Sequence, residues 1–272
     1  MKKIIIILLA TLSSLIATAQ ISHEILINGG GGLSSLNPKL SAGKKTMGGG
    51  GEFGIGYTCV FIKMVGVHVG VDFAFYNAGA KLNGVEVVTN NLTDSEGDRF
   101  NMHSTLNSYK EKLNATFMNI PIMAQVQIGK KYKVYAMAGF KIGIPLSCKY
   151  KVSGATLTNE GYYPEYENGL KEPLFAGFGR FENIDSKGKL KLGASAALAL
   201  EAGMKWKLGE MLAVYTGIYF DYGLNNIAKN NDFIAYTNSE PAKFTTRSAV
   251  PTLASKMNLM AVGVKVRFAI IK

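Results

Sequence analysis

MNLMAVGVKVRFAIIK, residues 257–272, alternates an apolar face with a small or charged one. Met260, Val262, Val264, Val266, Phe268 and Ile270 fall on one side, and Ala261, Gly263, Lys265, Arg267 and Ala269 on the other. A period of two belongs to an extended strand, and the stretch exceeds the roughly nine to eleven residues that cross a bilayer at a tilt. Backbone that faces lipid must be paired, so such a strand needs neighbours on both edges and a last neighbour that closes the ring.

The rest of the chain supplies them. Seven more segments carry the pattern, at about 23–33, 50–62, 65–77, 113–128, 133–146, 189–207 and 212–224. The cleanest is the third, which sets Val65, Val67, Val69, Val71, Phe73 and Phe75 against Gly66, His68, Gly70, Asp72 and Ala74. Segment 189–207 is rich in Ala and Leu and would suit a helix, but Gly193 and Gly203 favour a strand with Leu190, Leu192, Leu198, Leu200 and Trp206 on its apolar face. The expectation is an all-β, eight-stranded antiparallel transmembrane β-barrel, or ten strands if part of the second long connection adds a hairpin.

Short turns alternate with long connections at 78–112, 147–188 and 225–256, the arrangement that separates periplasmic turns from extracellular loops in outer-membrane barrels. A soluble, lipocalin-like barrel would show the same period. Its second face would meet water and carry Lys, Glu and Thr, whereas here that face is mostly Gly and Ala, which suits the narrow interior of an eight-stranded barrel. Bulky Val, Leu and Phe then face lipid, with Phe61, Trp206 and Phe268 in one aromatic girdle and Phe53, Phe75 and Tyr222 in the other.

Composition agrees with one exported domain. The 272 residues are 47% hydrophobic and 18% charged, with 31 glycines, and outside the N-terminus no apolar run is long enough for a transmembrane helix. Lys2, Lys3, an apolar stretch from Ile4 and Ala17-Thr18-Ala19 form a secretory signal over 1–19, leaving 20–272 as the barrel domain. Cys59 and Cys148 fall near opposite ends of the barrel, too far apart for a disulfide, so both are expected as free thiols. The formal charge of +11 falls to +9 without Lys2 and Lys3. It carries no nucleic-acid signal. Lys63, Lys130, Lys131, Lys133, Lys205, Lys207 and Lys272 against Glu210 make the short-turn rim basic, suited to anionic headgroups or an acidic periplasmic partner.

Catalytic, cofactor and metal sites are not expected. The glycine runs at 29–32 and 48–51 lack the Lys-Ser/Thr step of a phosphate loop, and read as a narrow strand end and a loop base. His23, His68 and His103 are scattered, and His68 reads as an interior group satisfied by a neighbour such as Gln125. The inner face carries Glu52, Asp72, Glu201 and Asp221 against Lys141, Lys265 and Arg267. Buried charges persist only when paired, so these seven are expected to form a lumen ionic network, Glu201 meeting Lys265 or Arg267 across Gly217. Tyr162, Tyr163 and Tyr166 either form a recognition platform or pack within their own loop.

A signal ending in Ala-Gln, Asn119-Ile120-Pro121-Ile122, Ala138-Gly139 and Tyr222-Gly223-Leu224-Asn225-Asn226-Ile227 resemble the PorT-like outer-membrane β-barrel proteins of the Bacteroidetes over nearly the whole mature chain. The resemblance implies a Gram-negative outer-membrane location; the matched positions are scaffold features, and the namesake's link to protein secretion does not transfer on them. The expected role is structural or interactive, with a filled lumen, outer-membrane lipids as neighbours and a periplasmic or extracellular protein as candidate partner. A small pore or transporter is the alternative, and a lipid-modifying enzyme a third.

Overall fold

The computed structural model describes residues 21–61, 64–229, 233 and 246–272; the signal segment and Lys63 lie outside them. Among the described residues are thirteen strands: β1 (Ser22–Leu40), β2 (Lys44–Met47), β3 (Gly49–Phe61), β4 (Val65–Leu82), β5 (Val85–Thr93), β6 (Arg99–Asn107), β7 (Tyr109–Gly129), β8 (Tyr132–Tyr163), β9 (Asn168–Leu170), β10 (Gly179–Lys189), β11 (Ser195–Lys207), β12 (Leu212–Gly223) and β13 (Ala254–Ile271). Eight of them close a ring in the order β1-β3-β4-β7-β8-β11-β12-β13, every neighbour antiparallel, with β13 returning to β1 from Glu24–Ile271 up to Leu40–Ala254. The ring has eight strands, not ten: β9 and β10 lie on β8 beside it.

The apolar face of each ring strand is turned outward, as Ile55, Val69, Ile122, Phe140, Leu200, Ile218 and Val264 illustrate, and forms a continuous lipid-facing belt. Phe53, Phe75 and Tyr222 are exposed toward one edge of it and Phe268 toward the other. Cys59 and Cys148 are unpaired. The glycine runs form neither a strand end nor a loop base: β1 continues to Leu40, and Gly30, Gly31 and Gly32 pair with Glu52, Gly51 and Gly50 inside the wall. A Cβ on Gly32 would sit 2.2 Å from the Val262 carbonyl oxygen, so the strands meet there at a distance only glycine permits.

The first two long connections are not loops. β4, β7 and β8 run on past the belt, β8 for 32 residues, and with β2, β5, β6, β9 and β10 they build an extension on the long-connection side. Along β4 and β7 side-chain parity is preserved while polarity inverts, and β8 does the same after a bulge opposite Thr116 and Phe117 shifts its parity by one residue. On β7, Ile122 and Ile120 face out and Asn119 and Gln125 face in; further up, Lys110, Lys112 and Asn114 face out and Tyr109, Leu113 and Phe117 face in. Within the bilayer the outside is oil, and above it the outside is water, so the same alternation needs the opposite residues. The interior of the extension is a hydrophobic core of Leu36, Tyr76, Leu82, Tyr109, Leu113, Phe117, Val152 and Leu157, each worth roughly 1.5–3 kcal/mol on burial. Chain from the third connection enters this core: Ile227, Phe233, Val250 and Leu253 are buried there, the last two on the short helix Val250–Leu253. Leu190 and Leu192 also point into it, because β11 begins at Ser195 and not at 189. Their alternation belongs to the extension, not to the lipid face.

Candidate functional site

The lumen is filled by polar side chains whose heights follow from strand register. Lys265 on β13 pairs with Gly30 on β1, and Gly30 with Glu52 on β3, so a glycine between the two leaves their side chains free to meet. The Lys265 ammonium contacts Glu52 and lies 3.7 Å from Asp72 and 4.0 Å from Glu201. Lys141 bridges Asp221 at 2.6 Å and Glu52 at 3.2 Å. Arg267 donates to Glu201 through Nη2, and its Nη1 lies 3.2 Å from Met137 Sδ. The structure thus brings the seven charged residues together, with Arg267 taking Glu201. The position over Gly217 is filled by Tyr135, whose hydroxyl donates to Glu201 at 2.7 Å. Asn28 donates to Asp72 at 2.9 Å, and Tyr219 lies between the Lys141 and Lys265 ammoniums at 5.6 and 5.4 Å. All seven charged residues are 5% exposed or less, which leaves no bulk water to screen them.

A second ionic layer escaped the sequence reading. Lys205 pairs with Glu24, and Tyr215 donates to the same carboxylate. Lys205 is therefore not part of the basic rim; it shares the parity of Glu201 and Gly203 and points inward, 1% exposed. His68 does not bond Gln125. Its Nδ1 lies 2.8 Å from Thr58 Oγ1, while Gln125 turns to Gln127 and Tyr215. His23 contacts Tyr57, and His103 contacts Glu86, so each of the three histidines has a neighbour of its own.

Above the network, Tyr76 and Phe117 pack edge to face at 5.7 Å and begin the apolar core. Within that core stands one carboxylate, Glu111, which accepts from Ser248, from Tyr109 at 2.8 Å and from the Ala249 amide at 3.2 Å. Burial pushes the Glu111 carboxyl above its ordinary range although these bonds pull it down. Together they fasten the short helix into the mouth of the barrel. The sequence placed Glu111 in a polar loop, and only its position between outward Lys110 and Lys112 hinted otherwise.

The three tyrosines do not share a surface. Tyr163 is buried, stacked on Phe100 at 5.4 Å and donating to Asp94 at 3.1 Å, and burial together with Asp94 pushes its hydroxyl up to about 12. Tyr162, on the opposite face of β8, lies against His103, and Tyr166 is exposed with its hydroxyl on Asp98 at 3.2 Å. Packing within the folded extension accounts for Tyr163, and the other two present separate faces.

Comparison with known proteins gives a family and two structural likenesses. The model of a family described as outer membrane protein beta-barrel domain matches residues 19–229. No curated protein matches the chain. Among solved structures, Neisserial surface protein A is 10% identical over 91% of this chain and 96% of its own, with a TM-score of 0.38. Ail, the attachment invasion locus protein of Yersinia pestis, in complex with the heparin analogue sucrose octasulfate, is 12% identical over 93% of this chain and 99% of its own, with a TM-score of 0.33.

Proposed function

The chain belongs to the outer membrane protein β-barrel domain family and stands in the outer membrane; from that premise we propose that it is a closed, non-conducting barrel with a structural or interaction role, and not an enzyme. The observation that carries this reading is the stacking of two obstructions along one axis. The ionic network fills the lumen, and the core anchored by Glu111 fills the extension above it. An ion would have to break buried pairs and then cross an apolar core to pass. Each histidine is held by a side chain of the barrel wall or extension: His23 by Tyr57, His68 by Thr58 and His103 by Glu86.

Within the family we place the chain beside the PorT-like proteins of the Bacteroidetes. The motif Tyr222–Ile227 supports this through the bonds it makes. Asn225 accepts from the Ala196 amide at 2.8 Å and donates to the Ala194 carbonyl at 2.7 Å, while Asn226 accepts from the Met257 amide at 2.9 Å. These bonds lock the end of β12 to β11 and β13, and the fully buried Ile227 starts the chain's descent into the core. Outer-membrane lipids surround the belt, and a protein partner would meet the extension or the opposite rim. Planar-bilayer recording tests the reading. The parent protein is expected to give no steady open level, and steady single-channel conductance would replace the closed scaffold with a small pore.

A further inference from the structure

Eight lysines stand on the outward face of the extension in three tiers. The reference level is the row in which Phe75 of β4 pairs with Thr116 of β7 and Thr116 with Ser147 of β8, where the lipid-facing belt ends. One step up, Lys149 of β8 faces Lys189 of β10. At the second step Lys112, Lys151 and Lys187 share a row, and at the third Lys44, Lys81 and Lys110 do. All eight are exposed, and among the described residues none forms an ion pair. Carboxylates that could have balanced them are turned elsewhere: Glu111 faces the core, and Asp185 of β10 accepts from the Gly154 amide at 2.8 Å. Like charges directly opposed across strands destabilise a sheet, yet here they recur in every tier. The third tier also lines a cleft of about 430 Å³ with Asn83 and Ser108.

Height selects the ligand. At about 3.4 Å per residue the tiers lie roughly 7, 14 and 20 Å along the strands above the Phe75 row; at a tilt near 40° this is about 5, 10 and 16 Å along the membrane normal on β7, changing by about 3 Å per neighbouring strand because the rows are themselves inclined. An ordinary headgroup layer is about 6 Å deep on each side. It falls short of the third tier whichever way the rows incline. Lys81, Lys110, Lys112, Lys149 and Lys151 share the outward face of β4, β7 and β8, which carry lipid-facing residues, and Lys44, Lys187 and Lys189 flank them on β2 and β10, so the wall meets a molecule standing beside the barrel with its acyl chains on the belt. A headgroup that rises to the second and third tiers with phosphates along its height is a phosphorylated saccharide. We propose that this wall is a binding site for a phosphorylated glycolipid of the outer leaflet, with its phosphates lodged among the tiers where ammonium groups from adjacent strands converge. The assignment rests on the barrel standing in the outer membrane with the extension on its outer side.

The test measures retention of a bisphosphorylated, acylated disaccharide by the full-length barrel in detergent micelles, by native mass spectrometry at two salt concentrations. The triple variant Lys112→Gln/Lys151→Gln/Lys187→Gln is expected to bind at least ten-fold more weakly than the parent, and the rim variant Lys130→Gln/Lys131→Gln/Lys207→Gln to bind like the parent. Removing the phosphates from the lipid should weaken parent binding to the level of the triple variant, and millimolar inorganic phosphate should leave binding in place because it lacks the acyl anchor. Equal binding by parent and triple variant, equal binding of the dephosphorylated lipid, displacement by inorganic phosphate, or a preference for a soluble sulfated polysaccharide would each overturn the proposal. Heat-modifiable migration checks that every variant is a folded barrel. A conducting parent would sink the closed-scaffold reading and leave this test standing.

Discussion

Replacing Glu201 with alanine isolates the energetics of the lumen, because its partner cannot escape by losing a proton. The carboxylate accepts from Arg267 and from Tyr135 at 2.7 Å; without it, the guanidinium retains the Met137 sulfur at 3.2 Å as its only described hydrogen-bond acceptor, and a guanidinium keeps its charge at any workable pH. A charge-assisted bond contributes about 1.5–3 kcal/mol and the tyrosine bond about 1. Stranding a buried charge places the whole cost at about 3–5 kcal/mol. Glu201→Gln keeps the volume and an acceptor for Tyr135, so it should cost about half as much. Adding Arg267→Met to Glu201→Gln should recover stability relative to Glu201→Gln alone, since no unpaired charge then remains at that pair. Urea unfolding in lipid vesicles, followed by fluorescence of Trp206, the single tryptophan, reads these differences from the midpoint at constant slope. An alanine variant within about 1 kcal/mol of the parent would mean that water reaches Arg267, and the dry network would be refuted.

Gly217→Ala tests the same site from the backbone. The new Cβ would lie 2.5 Å from the Tyr135 hydroxyl and 2.6 Å from the Ala202 carbonyl oxygen, so Tyr135 must leave Glu201 and the barrel should lose about 1–3 kcal/mol in the urea assay. At Glu111 the prediction concerns pH. Its carboxyl is raised in the docked state, so docking of the Ser248–Leu253 chain is strongest below the value of an exposed carboxylate and weakens as pH rises through the docked value. Amide exchange at Ala249, corrected for intrinsic rate, should show greater protection at pH 5 than at pH 8, and Glu111→Gln should remove the difference. Greater protection at pH 8 would reverse the sign and discard the argument.

The barrel itself was legible because its eight membrane segments alternate against lipid, and residues such as Val65–Phe75 can satisfy that environment in one way only. The extension was not, because the upper halves of β4, β7 and β8 exchange polarity between faces. Read by the rule for lipid, Lys110, Lys112 and Lys149 look like loop; read by the rule for water, they are the outer face of a sheet over Tyr109, Leu113 and Val152. Lumen membership could be had from parity, which puts Lys205 with Glu201, but its position near a turn obscured it. Pairing could not. Whether Arg267 or Lys265 takes Glu201 depends on the stagger of strands joined across the closed wall, which no local pattern encodes.

Closure by β1 and β13 has a consequence for assembly. The two strands that seal the wall are the first and last of the described chain, so the seam between Glu24–Ile271 and Leu40–Ala254 is the longest-range contact the fold makes. Until the C-terminal strand arrives, β1 offers one unpaired edge, and Asp72 and Glu52 lack the ammonium of Lys265. Insertion cannot therefore proceed stave by stave from the N-terminus into the bilayer. The edge of β1 must stay shielded until β13 pairs with it, and that pairing closes the hydrogen-bond ring and brings Lys265 to Glu52 and Asp72 in a single event.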